Sequence, residues 1–463
     1  MSTPFWTLDR LSAALKPQLL GAAPRGTGVL RSIGTDTRTL EAGDVFVALA
    51  GEQFNGHAFV AAAVARGAGA LVVSDASVLS RAGVPVYLVA DTTQALAALG
   101  TFRRRVWGGP VVAVAGSNGK TTTKDLIAGA LGARFEVHAT RGNLNNHIGV
   151  PLTLLAIPDH ADIAVVEIGT NHPGEVAALR SVVEPDMAVV TSIGEEHLEG
   201  LGSLDGVLRE EAAVFANAEL AVTPAGQPEV AAAARGLASR VLTAGLTDGD
   251  VHPDTWGLDG DARGWCQLGE VKLQVPIAGV HNLRNALLAI AVSRACGVPD
   301  EDAVRGIAAL PAPSMRSALV PLGTLGVLND AYNANPASAR EALATLDAMA
   351  SPRPRVVVLG SMLELGPQRD ALHDEIARRA LAGTAQLIAG IGAFASAFAR
   401  VAPGDQRVVT ASDAAALWPL VQSRIAPDAL VLLKGSRGTR LERLLPGLRE
   451  LGGMPTGVGP AAH

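Results

Sequence analysis

Cysteine is nearly absent: Cys266 and Cys296 are the two in 463 residues, which leaves no basis for a disulfide framework and fits a reducing compartment. Aromatic residues make up 3% of the chain, so its 48% hydrophobic content rests on Ala, Val and Leu rather than on large rings. Long apolar runs are also missing. The longest, such as Ala286 to Val292, fall far short of the ~18 residues a spanning helix needs, despite a mean hydropathy of +0.28. Nor is there an excess of positive charge: 38 Lys and Arg against 44 Asp and Glu give a net −6, no general attraction for nucleic acid. The short run Arg103, Arg104, Arg105 reads as the solvated end of a helix. Met1 to Arg10 holds Asp9 and lacks a basic segment followed by an apolar one, so no secretory signal is expected and a soluble cytoplasmic protein is.

What is present is enough for about three domains, each able to bury its own core. The first hundred residues mix short strand-like runs (Asp44 to Leu49, Ala70 to Val73, Pro85 to Val89) with an Ala-rich helical stretch, Phe59 to Arg66, a small α/β pattern. Fully apolar strands then alternate with helices at Val111 to Ala115, Ile163 to Ile168 and Met187 to Ile193, as in a parallel sheet covered on both faces. Pro311 and Pro313 mark a second boundary. Beyond it Arg355 to Leu359, Gln386 to Ile391 and Leu430 to Leu433 predict a doubly wound domain. The expected fold is α/β in three domains: a small one over 1–105, a central P-loop ATPase over 106–311 and a Rossmann-like one over 312–463. Gly452 to His463, rich in Gly, Pro and Ala, reads as a loose tail.

Val111-Val-Ala-Val-Ala-Gly-Ser-Asn-Gly-Lys-Thr-Thr-Thr123 is a buried strand entering a glycine turn and then a helix that continues through Ala130. Gly116 and Gly119 let the backbone bend, so that the N–H groups of the loop and the helix N-terminus point at phosphate oxygens. Lys120 supplies a point charge for the β and γ phosphates, and the Thr121 hydroxyl can join a magnesium shell. The candidate ATP loop is therefore Gly116, Ser117, Asn118, Gly119, Lys120, Thr121 and Thr122. Val114 stands where the eight-residue P-loop pattern wants glycine, so the match is to the shorter G-x-x-G-K-T-T form.

At this loop and at later motifs the chain resembles the Mur ligase family, the ATP-dependent amino-acid and peptide ligases of peptidoglycan synthesis. The matching segments are Thr35-Asp-Thr-Arg38, Gly142-Asn-Leu-Asn-Asn146, Val165 to Glu175, Gly194 to Gly202, Gly279-Val-His-Asn282, Asp330-Ala-Tyr-Asn-Ala-Asn-Pro336, Met362-Leu-Glu-Leu-Gly366 and Lys434-Gly-Ser-Arg-Gly438, in the family's order. The resemblance is strongest to the branch that joins D-alanyl-D-alanine to UDP-N-acetylmuramoyl-tripeptide. It implies an N-terminal domain for the UDP part, a central ATPase and a C-terminal domain that closes on both. It also implies a monomer using ATP and Mg2+, with an acyl phosphate captured by the dipeptide amine.

Carried over residue by residue, the resemblance implies that Lys120, Glu167, His197 and Arg316 are catalytic. Thr121, Glu167, His197 and Glu211 are the implied magnesium set. Asn282 and Asn285 would face the adenine, Arg316 the γ-phosphate and Asp330 the ribose. Asp36, Thr37 and Arg38 would hold the uridine diphosphate, Asn143, Asn145 and Asn146 the UDP-sugar, and Lys434 and Arg437 a substrate carboxylate. Each has a structural competitor: a salt-bridged Glu167, a loop His197, a helix-capping Asn282, turn residues in the two N-terminal groups, solvent-facing Lys434 and Arg437.

The chain departs from the family where most members carry a carbamoylated, metal-binding lysine, because Glu211 stands there. Glutamate offers a carboxylate directly on a shorter arm and is expected to serve unmodified, the competing reading being an exposed helix residue. His147, Ser361 and Thr37 are smaller departures. The nearest rival is the ligase adding the third amino acid, whose diaminopimelate-specific forms carry an Asp-Asn-Pro-Arg segment that this chain lacks. A folate polyglutamylating ligase leaves the N-terminal segment unexplained, and a noncatalytic ATP-binding module leaves Lys120, Glu167 and His197 without a role.

Overall fold

The computed structural model describes residues 5–454 apart from positions 23, 25, 27, 52, 53, 82, 312 and 313; Pro313 and most of the expected tail lie outside them. The chain forms two compact units, one of Met1–Ala113, Phe135–Thr170 and Glu175–Met187, the other of Val114–Arg134, Asn171–Gly174 and Ala188–His463.

In the first unit Ile33–Gly34, Val45–Val47, Ala70–Val73 and Val86–Leu88 pair in that order as a parallel sheet. The two middle strands are buried along their whole length. Leu11, Leu15, Tyr87, Leu96 and Leu99 share one apolar cluster and Leu40, Phe46, Ala63 and Leu71 another, as a two-sided sheet requires. Helix Thr92–Trp107 starts where the Asp91 carboxylate accepts the N–H groups of Thr93 and Gln94, and stops at Gly108 with φ 73°.

The arginine run near its end is not a solvated surface. Arg103 and Arg104 are buried, and only Arg105 is exposed. Arg103 pairs with Asp159 at 2.7 Å; Arg104 pairs with Asp186 at 2.8 Å and donates to the carbonyls of Val183 and Glu184, closing the end of helix Glu175–Val183. Carbonyl and carboxylate oxygens from distant segments offset the burial of these two charges, and such partners are not visible in a charge run.

A six-stranded sheet runs in the order Arg240–Ala244, Leu220–Pro224, Met187–Val190, Val111–Ala115, Ile163–Glu167, Val137–Ala139. Val111–Ala115 and Ile163–Glu167 have no exposed residue, as their unbroken apolar composition implied. In the second unit, three antiparallel strands at Thr255–Leu258, Arg263–Leu268 and Val271–Ala278 were not foreseen. The expected doubly wound sheet follows in the order Ala318–Leu322, Leu325–Asp330, Leu430–Lys434, Arg355–Leu359, Leu387–Ile391, Val408–Ala411, parallel except for its first strand. Apolar clusters cover both of its faces. Among the described residues no helix is long and apolar enough to cross a membrane.

The helix that follows the phosphate loop, Lys120–Leu131, is seated by glycine. A Cβ on Gly306, in helix Asp300–Ala308, would lie 2.0 Å from the carbonyl oxygen of Gly129. Gly306→Ala is expected to push the two helices apart and cost about 1–3 kcal/mol. Gly226→Ala, whose Cβ meets open space, is the control. Equal denaturation midpoints for the two variants would contradict the close approach.

Candidate active site

The phosphate loop is shaped by what surrounds it in the second unit. Gly116 has φ 118°, and a Cβ there would meet Thr191 Oγ1 at 2.4 Å; Gly119 has φ 84° and packs on the Asn285 amide. The loop backbone is tied to the segment after strand Met187–Val190: the Ser117 N–H donates to Ser192 O at 2.7 Å, the Thr191 hydroxyl to Asn118 O at 2.6 Å, and Gly194 N–H to Ser117 Oγ at 2.9 Å. Helix Lys120–Leu131 opens at Gly119 with no side-chain cap, which leaves its first-turn N–H groups for an anion.

Beneath the loop lies a pair of buried carboxylates. Glu211 is fully buried at the end of helix Leu204–Ala212, and its Oε2 accepts the Gly116 N–H at 2.7 Å. The competing reading of Glu211 as an exposed helix residue therefore fails. Helix Leu204–Ala212 places Glu211 on its buried side with Val207, four residues earlier, where it meets the loop. Glu196, which sequence reasoning passed over, is also buried, with Oε1 3.8 Å from Lys120 Nζ. Burial, reinforced by the neighbouring Glu211 and opposed by Lys120, pushes Glu196 up to about 8. Burial likewise raises Glu211, against the pull of Lys120 and of the Gly116 N–H. A second positive charge near the loop would relieve both. The signal for Glu196 was its place in Gly194-Glu-Glu-His-Leu-Glu-Gly200, but the sequence does not say which acid turns inward.

Lys120 Nζ donates to the Gly116 carbonyl and lies 3.4 Å from that of Ser117. His197, in left-handed backbone with φ 49°, directs Nδ1 to Glu364, itself at φ 61°. The C-terminal sheet's loops also reach the phosphate loop: Asn335, which caps helix Pro336–Ala348, donates its amide to Asn118 Oδ1 at 2.9 Å. One turn on, Arg340 bonds both Glu195, at 3.1 Å, and Glu375, at 2.7 Å. Asn282 and Asn285 are buried on the first turns of helix Val280–Ala295; Asn282 donates to Ala278 O at 2.7 Å and is not its cap residue, which is Gly279.

Asp330 and Lys434 end adjacent strands and pair with each other at 2.8 Å. Lys434 is 3% exposed, not solvent-facing, and also donates to Asn333 O. The other Asp330 oxygen accepts the Ser317 N–H at 2.9 Å. Arg316 and Arg437 come together on one ring: their guanidinium carbons lie 3.9 and 5.7 Å from the centroid of Tyr332.

In the first unit Glu167 ends strand Ile163–Glu167 and is 2% exposed; Oε1 accepts the Asn145 amide at 2.7 Å. Asn146 Oδ1 takes the N–H groups of Ile148 and Gly149, and Asn143 is exposed. Asp36 and Arg38 form an exposed pair at 2.6 Å within a turn that also contains Thr37, and Arg38 holds Asp36 down at about 2.

The donor chemistry suits a hard divalent cation. In the second unit, Thr121 Oγ1, Glu196 Oε1 and Glu211 Oε1 are buried oxygens that accept no N–H from any of the described residues. Among the described residues no three His, Cys, Asp or Glu side chains are gathered as a ready-made cage.

Three family models match the chain: the Mur ligase family catalytic domain over residues 29–104, the Mur ligase middle domain over 114–293 and the Mur ligase glutamate ligase domain over 315–437. The UDP-N-acetylmuramoyl-tripeptide--D-alanyl-D-alanine ligase of Bacillus subtilis (strain 168) is 34% identical over 432 residues, 91% of this chain and 94% of that protein. A crystal structure of MurF from Acinetobacter baumannii superposes with a TM-score of 0.86 at 32% identity, covering 96% of this chain and 99% of that one. The MurF ligase from Thermotoga maritima in complex with ADP gives 0.81 at 25% identity, covering 91% and 98%. With a phosphate loop of the family's short form set over buried acids, and matches along nearly its whole length, the chain belongs to the Mur ligase family.

Proposed function

We propose that this chain joins D-alanyl-D-alanine to UDP-N-acetylmuramoyl-tripeptide in peptidoglycan synthesis, converting ATP to ADP and phosphate through an acyl phosphate. The observation that carries the reading is the phosphate loop with Lys120 and buried Glu211, in a chain whose near-full-length relatives bear that ligase's name. A terminal carboxylate oxygen of the tripeptide attacks the γ-phosphorus and ADP leaves. The dipeptide amine then attacks the acyl carbon, loses a proton, and expels phosphate with the carboxylate oxygen in it.

Such transfer needs positioning and charge neutralisation more than covalent help. Loop N–H groups and Lys120 hold the β and γ phosphates, with Gly116, Ser117, Asn118, Gly119, Thr121 and Thr122 lining them. Arg316 takes γ-phosphate charge; Asn282 and Asn285 face the base, and Asp330 the ribose side. Thr121, Glu167, His197 and Glu211 are the residues that would hold Mg2+, whose charge would offset that of the phosphate oxygens. Glu211 supplies its carboxylate without carbamoylation. Asp36, Thr37, Arg38, Asn143, Asn145 and Asn146 receive the UDP-sugar, and Arg437 a substrate carboxylate. Lys434 acts through its pair with Asp330, since that pair uses its charge.

A three-domain division at about residues 105 and 311 is supported by the separate spans of the three family models. A cytoplasmic location is supported by ATP as co-substrate.

Phosphate release should require both substrates together and give a UDP-pentapeptide by mass; release with a free amino acid in place of the dipeptide would favour the third-residue ligase, and none at all a binding module. Lys120→Ala should lower kcat by roughly 10²-fold or more, as expected when a charge aimed at the reacting phosphate is lost. Glu211→Gln should raise the Mg2+ concentration for half-maximal rate about tenfold, a loss typical of a ligand or its support. Wild-type rates should be indifferent to bicarbonate, whereas Glu211→Lys should be weak in CO2-free buffer and gain activity when bicarbonate is added. Bicarbonate dependence in the wild type would contradict the unmodified carboxylate.

A further inference from the structure

Arg316 is presented by an unusual piece of backbone. The residues on either side, Met315 and Ser317, both have left-handed φ, 58° and 48°, a conformation that costs an ordinary residue energy unless its surroundings impose it. The surroundings here are specific. The Ser317 N–H donates to Asp330 Oδ1 at 2.9 Å, Asp330 Oδ2 binds Lys434 at 2.8 Å, and the Tyr332 N–H donates to the Met315 carbonyl at 3.2 Å. The turn bearing Arg316 is thus fastened to the segment bearing Tyr332.

The side chains continue the pattern. The Arg316 guanidinium lies 3.9 Å from the Tyr332 ring centroid, well inside cation–π range. Arg437, on the loop after strand Leu430–Lys434, lies 5.7 Å from the same ring and donates to the Met315 sulfur at 3.5 Å. Among the described residues neither arginine forms an ion pair with a carboxylate, whereas nearby Lys434 does. Two like charges beside one ring repel, and the electron-rich ring face is what offsets the repulsion until anions arrive.

We infer that Tyr332 is a positioning residue for phosphoryl transfer: its ring holds Arg316 toward the ATP γ-phosphate and Arg437 toward a substrate carboxylate. This rests on the ligase reading for the two anions, but the stacking on Tyr332 is independent of it. Phenylalanine at this position keeps the ring face and should preserve the function. Leucine keeps apolar bulk but has no such face.

Nucleotide binding without acceptor substrates separates the two ideas. Affinities for ADP and for a nonhydrolysable ATP analogue, with Mg2+ in every arm, are measured for wild type, Tyr332→Phe, Tyr332→Leu, Arg316→Ala and the Arg316→Ala/Tyr332→Leu double variant. Tyr332→Leu should weaken the ATP analogue about tenfold and ADP less than about twofold; Tyr332→Phe should match wild type; the double variant should be no weaker than Arg316→Ala. Equal loss for both nucleotides, an additive loss in the double variant, or no loss in Tyr332→Leu would overturn the inference. If Tyr332→Leu does not fold, Arg316→Lys replaces it. Lysine keeps charge without the planar stack, so discrimination for the ATP analogue should fall, and unchanged discrimination would overturn the inference. Failure of the ligation assay alongside the expected binding pattern would sink the ligase reading and leave this one standing.

Discussion

The carboxylate of Glu211, fully buried against the N–H of Gly116, is the constraint on which the rest of the nucleotide site depends. Burying a carboxylate costs several kcal/mol unless hydrogen bonds and opposite charge offset it. Here one oxygen is satisfied by the first glycine of the phosphate loop, Lys120 supplies the opposite charge, and among the described residues the other oxygen has no donor beyond the neighbouring Glu196 carboxyl. The adjacent Glu196, buried beside it and itself pushed up to about 8, would be stabilised as a carboxylate by added positive charge. A site so built holds its loop in shape while remaining short of a cation, which is the electrostatic condition for taking up a metal–nucleotide pair.

The C-terminal sheet is joined to this loop by polar contacts and by packing. Asn335 reaches Asn118, Glu364 receives His197, and Arg340 spans Glu195 and Glu375. Leu198 and Leu201, beside His197, sit in the same apolar cluster as Leu328, Leu359 and Met362. The segment that carries His197 is thereby held from both ends of its chemistry, and its left-handed backbone at His197 is kept by surroundings rather than by local preference.

Much of this was legible in the sequence where chemistry and local geometry coincide. The loop from Gly116 to Lys120 announces strand, turn and helix within a dozen residues, and unbroken apolar strands announce a parallel sheet. Legibility failed where long-range burial decides. Arg103 and Arg104 look like any basic run until their carbonyl partners, 54 positions away for Arg103 and 79 and 80 for Arg104, are known. Thr255–Leu258 has no buried residue and carries no clear alternation, so its hairpin went unread. Glu196, Glu364, Asn335, Arg340 and Tyr332 stand in or next to recognisable motifs, yet their roles come from which partner they meet, and spacing does not encode that. Lys434 reads in the sequence as a holder of a substrate carboxylate or else a solvent-facing charge, and its pairing with Asp330 comes from two strands that lie side by side only in the fold.

The most direct measurement follows an oxygen atom. With the terminal tripeptide carboxylate labelled with ¹⁸O, ligation through an acyl phosphate must deliver one labelled oxygen to each phosphate released. Label in the phosphate, together with pentapeptide product, is the result the proposed chemistry predicts. Product formed with unlabelled phosphate would mean that the carboxylate never attacked the γ-phosphorus, and would contradict it.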